Sequence, residues 1–109
     1  MKQAGAVVQC YERILAASGE MVVAAEESRW EDLVNLEVAR RALILEVTAE
    51  PAKPLADAVL QTRMEDLIRG ILRKDERVKT LTAAWMQEIQ GILSSTQSER
   101  KLARAYLTV

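Results

Sequence analysis

The side chains that could perform chemistry in this chain are few, and they form no familiar catalytic set. Its 109 residues include no histidine and a single cysteine, Cys10. The commonest general base and metal ligand is therefore missing, and no internal disulfide can form. The sequence has no glycine-rich phosphate loop and no paired cysteines. The carboxylate pairs at 26–27 and 75–76 have basic neighbours, which favours a solvated surface. We predict no catalytic residue, no metal site, no cofactor and no enzymatic activity.

One enzymatic alternative stays open for a small helical protein without histidine. Enzymes of the chorismate mutase type are built in this way, and they need several polar and cationic side chains converging on a dianion inside a helical bundle. The side chains that could take such roles here are Arg13, Arg40, Lys74 and Gln87. Any helical protein supplies a similar set, so these residues alone do not favour an enzyme.

The composition predicts a soluble helical domain. Hydrophobic residues make up 50% of the chain and charged residues 28%, while aromatics are only 4% and phenylalanine is absent. Such an aliphatic, alanine-rich core favours helices. The net charge of -1 gives no basic excess for nucleic acid, and no apolar run reaches the ~20 residues that a membrane helix needs. We predict one all-α domain, residues 1–109, in the cytoplasm.

Apolar spacing predicts two helices before the first proline. The first covers about residues 4–26 and contains Gly19, which is either a tolerated imperfection or a point where a partner helix approaches closely. Ser28 and Glu31 have the spacing of a capping box, which predicts a second helix over about 29–48. Glu37 and Arg40 lie three residues apart on this helix, and we expect them to pair.

A third, very long helix is predicted after the prolines at 51 and 54. Apolar residues recur at three- and four-residue intervals from Leu55 to Leu93, and no proline interrupts them. Ser94 to Thr96 are expected to end it, and a second capping box at 96–99 predicts a short fourth helix over 97–107. The predicted fold is an antiparallel bundle of three main helices plus this short C-terminal helix.

The predicted helix lengths do not match, and this has a functional consequence. The third helix is nearly twice as long as the first two, so two antiparallel neighbours cover only about half of it. Trp85, with Leu81, Ile89 and Ile92, lies on the part left over. Uncovered apolar surface usually marks an interaction site. We predict a binding module whose fourth helix is a displaceable cover.

A set of motifs recurs in order along most of the chain. They are Tyr11-x-x-Ile14-Leu15, Trp30-x-x-Leu33-x-x-Leu36-Glu37, the prolines at 51 and 54, Asp75-Glu76 and Ala105-Tyr106. Together with the order and relative lengths of the helices, they resemble the FliT family of flagellar export chaperones.

The resemblance implies a substrate-specific cytoplasmic chaperone of flagellar type III export. Such a protein binds the C-terminal, helix-forming segment of the filament-cap protein FliD and prevents its premature assembly. It implies further partners, the export ATPase complex and, in some bacteria, the activator FlhDC, and it leaves a homodimer open. The partner-binding surface would comprise Leu33, Leu36, Leu43, Ile71, Val78, Leu81, Trp85 and Ile89, and the regulatory cover Leu102, Ala105 and Tyr106.

A structural or regulatory coiled-coil subunit of an oligomer is the main alternative. It predicts that the uncovered apolar stripe is buried in a fixed assembly and that no groove is left free. The chaperone reading instead predicts an apolar surface that receives an amphipathic helix.

Overall fold

The described part of the chain folds into three α-helices. The computed structural model describes residues 4–50 and 53–107, with side chains described as far as Ala105. The helices are α1 (Ala4–Glu26), α2 (Trp30–Thr48) and α3 (Ala58–Leu107), and these residues contain no strand. The prediction of an all-α fold with a very long third helix is confirmed. The chain divides into two compact units, Met1–Lys79 and Thr80–Val109, with the boundary inside α3.

The core of the first unit is centred on α1. Ile14 of α1 and Leu67 of α3 are almost completely buried, and Cys10, Ile14 and Ile71 form one cluster. Ser18 is fully buried as well, and its hydroxyl donates to the carbonyl of Ile14. α2 has no buried residue and contributes its half-buried face to this core. Its residues packed on the cluster are Leu43, Ile44 and Val47.

Contacts between side chains set the helix directions in the first unit. α2 is antiparallel to α1, since Cys10 contacts the carbonyl of Leu43 and Ser18 contacts Arg40. The first part of α3 is parallel to α1, because Arg63 lies 3.6 Å from Glu12 and Arg77 lies 3.9 Å from Glu26.

The turn between α1 and α2 differs from the predicted capping box. Ser28 adopts a left-handed backbone with φ of 58°. The amide of Arg29 donates to the carbonyl of Ala24 and that of Ser28 to the carbonyl of Ala25, which is the Schellman pattern that ends a helix. Ser28 therefore terminates α1, and α2 begins at Trp30 with Arg29 as N-cap and no side-chain cap bond. The predicted Ser28 cap is wrong for this reason.

Arg40 pairs across the bundle, and the expected pair with Glu37 is wrong. Its guanidinium donates to the buried hydroxyl of Ser18 at 2.9 Å and forms an ion pair with Asp75 of α3. Glu37 instead pairs with Arg41 one turn further along α2. Arg40 thus joins all three helices of the first unit, and its side chain is only 12% exposed.

α3 begins three residues later than predicted. The carboxylate of Asp57 accepts the amides of Val59 and Leu60 at 2.9 and 3.2 Å, so Asp57 caps the helix that starts at Ala58. Pro54 consequently lies ahead of the helix, outside its first turn. Pro51 lies outside the described residues.

The predicted break at Ser94–Thr96 is absent, and with it the separate fourth helix. α3 continues without interruption to Leu107, so residues 97–107 are its last turns. The hydroxyl of Thr96 donates to the carbonyl of Ile92 at 3.0 Å. A hydroxyl bonded back by one turn is compatible with a continuing helix. The second capping-box prediction is wrong because Thr96 bonds backwards in this way and does not cap.

The second unit consists of the remaining turns of α3 and has little buried surface of its own. Between Thr80 and Ala105, no side chain is buried. The half-buried members are Leu81, Thr82, Trp85 and Ile89, and all other side chains in this range are exposed.

Candidate docking surfaces

The predicted partner-binding residues divide between the two units, and those of the first unit largely support its core. Ile71 is buried beside Cys10 and Ile14, and Leu43 packs on the same cluster. Leu33, Leu36 and Val78 are half-buried. Ile71 therefore has little surface to offer a partner, whereas the half-buried residues present part of their side chains. Their role in partner binding stays a prediction.

The second unit presents an apolar row along one side of α3. Leu81, Trp85 and Ile89 of the predicted surface lie here at four-residue spacing and are half-buried. The same row contains three exposed residues that were not among the predicted site residues. They are Met86, 44% exposed, Ile92, 56%, and Leu93, 57%. We call these six residues the apolar row of α3.

The apolar row follows directly from helical spacing. Residues separated by three or four positions share one side of an α-helix, and residues 85, 86, 92 and 93 all lie three or four positions from Ile89. The same spacing placed Ile92 beside Trp85 on the uncovered part of the helix, and it could also have added Met86 and Leu93 to the predicted surface. Residue spacing does not show whether a side chain is buried by the rest of the chain. The structure shows the burial of each residue.

The residues predicted for the regulatory cover lie on the last turns of α3. Leu102 is 59% exposed and Ala105 is exposed. The side chain of Tyr106 lies outside the described part of the structure. Their assignment to a cover stays a prediction.

A second exposed apolar stripe runs along α2. Val34 and Val38 are one turn apart, and Leu45 follows two turns later on the same side. All three are exposed, and the sequence reasoning did not select them. An i, i+4, i+11 spacing is the signal that could have found them.

An open groove of about 680 Å³ lies between α1 and α2. Its lining contains apolar residues, which we call the floor, and charged residues, which we call the rim. The lining residues are Ala16, Gly19, Glu20, Val23, Arg29, Asp32, Asn35 and Leu36. A Cβ built on Gly19 would meet nothing within 4 Å, so no helix in the described part of the chain packs closely on Gly19.

Acidic groups outnumber basic ones at this rim. Arg29 donates to Asp32 and to Glu27, each at 2.7 Å, and these two hydrogen bonds, with Asp32 first, raise the pKa of Arg29 above its ordinary value. Arg29 therefore donates hydrogen bonds to two carboxylates, Glu27 and Asp32. Glu20 forms no ion pair with any residue of the described chain. Among the lining residues, two carboxylates, Glu20 and Asp32, stand against one guanidinium, a net charge of -1.

The residues considered for an enzyme do not form a site around this groove. Arg40 is engaged by Ser18 and Asp75, and Arg13, Lys74 and Gln87 are exposed. None of the four lines the groove. Cys10 is buried, and its thiol contacts the carbonyl of Leu43 at 3.6 Å and the carboxylate of Glu46 at 4.0 Å.

The described residues contain neither a metal-binding cluster nor a membrane-spanning helix. Among residues 4–50 and 53–107, no group of three or more acidic or cysteine side chains is placed to hold a metal ion. No helix in these ranges combines the length and the apolar character required to cross a membrane.

Comparison with known proteins gives one consistent family. The family model described as flagellar protein FliT matches residues 8–108. The FliT protein of Photorhabdus laumondii is 21% identical over 92% of this chain and 80% of its own length. That of Serratia proteamaculans is 23% identical over 97% of this chain and 87% of its own. The crystal structure of FliT from Bordetella bronchiseptica superposes with a TM-score of 0.72 at 25% identity, covering 79% of this chain and 97% of that one.

Proposed function

Because the chain belongs to the FliT family of flagellar proteins, we propose that it is a cytoplasmic chaperone of flagellar export. Its cargo is the C-terminal, helix-forming segment of the filament-cap protein FliD. Binding keeps that segment from assembling before export. The observation that carries this proposal is the apolar row of α3, which leaves Met86, Ile92 and Leu93 exposed to solvent.

The chemistry of the apolar row suits an amphipathic helix. Aliphatic and aromatic side chains at three- and four-residue spacing give a continuous apolar strip, onto which a partner helix can lay its own apolar side. Trp and Met, both present in the row, are enriched at the centres of interfaces. A helix-forming cargo segment with an apolar side would complement this strip. The same apolar side would then be unavailable for premature assembly.

The half-buried residues of the first unit extend the proposal. Leu33, Leu36 and Val78 expose part of their side chains and are proposed to take part in cargo binding. Leu43 and Ile71 belong to the core cluster of this unit. Binding of the export ATPase complex, inhibition of FlhDC and formation of a homodimer stay predictions from the family resemblance.

The cover is proposed as a second arrangement of the last turns of α3. It requires the helix to open at Ser94–Thr96, where three consecutive hydroxyl residues have lower helix propensity than alanine or leucine. Leu102, Ala105 and Tyr106 would then compete with cargo. Removal of this segment is therefore expected to strengthen cargo binding.

Titration calorimetry tests the proposal directly. The full chain is titrated with the C-terminal peptide of FliD from the same organism, alongside the double variant Ile92→Asp/Leu93→Asp. We expect a loss of affinity of at least about tenfold, since two charges would be placed in the apolar contact. Val59→Asp is the matched control, because Val59 is an exposed apolar residue on α3 outside the row. Equal weakening by both changes would contradict the assignment of the row.

Truncation after Ser95 separates the chaperone from its cover. Tighter peptide binding by the truncated chain supports both, and equal binding removes the cover and keeps the chaperone. No binding by either form rejects the cargo proposal. A fixed oligomer in sedimentation equilibrium that the Ile92→Asp/Leu93→Asp variant dissociates would then favour the coiled-coil subunit. That the chain is no enzyme stays a prediction, and its membership of a flagellar protein family gives the chorismate mutase alternative no support.

A further inference from the structure

We propose that the groove between α1 and α2 is a second docking site and that it receives a basic amphipathic helix of another protein. This site lies wholly within the first unit, and it shares only Leu36 with the residues proposed for cargo binding. Its inference starts from the groove's shape, its small apolar floor and the sign of charge at its rim.

The floor of the groove consists mainly of small residues, which would let an incoming helix come close to α1. Ala16, Gly19 and Val23 follow one another at three- and four-residue spacing on α1, and Leu36 faces them from α2. The absence of a side chain at Gly19 leaves open space where a Cβ would meet nothing within 4 Å. Small residues at this spacing let a helix backbone come near, and aliphatic side chains of the incoming helix would fill the middle of the groove.

The open space above Gly19 limits the explanations for this residue within the described chain. No element of the described chain uses the space above Gly19, so close packing of α1 against its own neighbours does not account for the glycine. Glycine weakens a helix interior relative to alanine. The groove gives this weakening a function, because the open space belongs to the site of an external helix.

The charge at the rim selects the occupant. Arg29 is held by Glu27 and Asp32, and Glu20 lacks an ion-pair partner in the described chain. The excess of carboxylates attracts lysine or arginine side chains flanking an apolar stripe and repels acidic ones. Asn35 adds an amide that can both donate and accept beside these charges.

A second copy of this chain fits the same groove less well. In a two-fold pairing the same surface meets itself, which would place one acidic rim against another. A partner helix with a basic rim meets no such repulsion. We therefore commit to a foreign basic helix and treat self-association as an outcome that counts against it.

The test uses the full chain and a designed probe. The probe is a fluorescently labelled peptide of about 18 residues, or five helical turns, with leucine and alanine on one side and lysine on the other. Fluorescence anisotropy measures its binding, and a peptide with glutamate in place of lysine is the charge control. We expect the basic peptide to bind at least about tenfold more tightly than the acidic one.

Two variants with matched controls locate the peptide on the groove. Gly19→Leu fills the floor and is expected to weaken binding about tenfold or more, while Gly5→Leu places the same side chain elsewhere on α1 and should leave binding unchanged. Glu20→Lys reverses one rim charge and should weaken binding and reduce its dependence on salt. Glu31→Lys makes the same charge change outside the groove lining.

Three results would overturn the proposal. Binding within about twofold of the wild type in Gly19→Leu would exclude the floor, since leucine there must occupy the groove. Equal weakening by Glu20→Lys and Glu31→Lys would show attraction to net charge alone. Self-association of the wild-type chain that Gly19→Leu abolishes would assign the groove to a second copy. Loss of FliD peptide binding with retained binding of the basic peptide would reject the cargo proposal and leave this one standing.

Discussion

In both parts of α3, apolar residues recur at three- and four-residue spacing, but the two parts differ in how far these residues are exposed to solvent. In the first unit, Leu67 and Ile71 are buried against α1, and Arg40 reaches across to Asp75. In the second unit, residues 80–105 include no buried side chain. A helical apolar stripe therefore does not by itself indicate a core. It becomes a core where neighbouring helices cover it and a docking surface where they do not.

The largest expected effect comes from replacing one leucine in each part of α3. Leu67→Ala removes a side chain that is 1% exposed and should lower the free energy of unfolding by about 2–5 kcal/mol, through lost burial and the cavity left behind. Leu93→Ala removes one that is 57% exposed and should change it by about 0.5 kcal/mol or less. Urea unfolding followed by circular dichroism measures both. Equal losses would mean that Leu93 is as well covered as Leu67.

A pair of neighbouring arginines gives an effect of intermediate size. Arg40→Met leaves the buried hydroxyl of Ser18 without this donor and Asp75 without its cation, and should cost about 1–3 kcal/mol of unfolding free energy. Arg41→Met breaks only the exposed pair with Glu37, which is worth about 0.3–0.5 kcal/mol.

The Nε of Arg40 is buried without a hydrogen-bond partner, so an apolar replacement of the whole pair is a useful control. Arg40 is largely buried while Asp75 is 40% exposed, and replacing both partners of a buried ion pair by apolar residues can be close to neutral. Arg40→Met/Asp75→Leu should therefore recover part of the loss seen in Arg40→Met. Similar unfolding curves for Arg40→Met and Arg41→Met would contradict the cross-bundle role of Arg40.

Two glycines of α3 give the smallest expected difference. Gly91→Ala adds a methyl group into open space and should raise the free energy of unfolding, or the protection of nearby amides, by about 0.5–1 kcal/mol. At Gly70 the added Cβ would lie 3.2 Å from Cδ1 of Leu15. Leu15 must shift, so Gly70→Ala should gain less than Gly91→Ala. Circular dichroism and amide hydrogen exchange measure both, and a larger gain at Gly70 would contradict the close packing there.

The helices were predictable because their apolar residues repeat with the helical period. Periodicity located α1 and α2 to within a residue and showed that the third helix is by far the longest. The ends of the helices were harder to predict. Ser28 has the residue type of an N-cap, yet the amides of Ser28 and Arg29 close α1, and sequence spacing cannot tell which of two adjacent helices a turn residue serves. The hydroxyls near Thr96 fit a helix start or a continuing helix equally well.

The candidate sites depend on contacts between distant residues, and these limit sequence reasoning. Arg40 was assigned to Glu37 because local spacing shows only partners three or four residues away, whereas Asp75 is 35 residues distant. Gly19 was noticed, but the lining that Arg29, Asp32 and Leu36 supply from the other side of the groove requires knowledge of how α2 turns back.

The turn at residues 27–29 also has a consequence for the order in which this chain acquires structure. It brings α1 and α2 together with very little intervening chain, so closing the pair costs little loop entropy. Contacts of low sequence separation form early. During synthesis, which delivers the N-terminus first, this helical hairpin can assemble before α3 has left the ribosome. Leu67 and Ile71 of α3 would then pack onto a hairpin of α1 and α2 that has already formed.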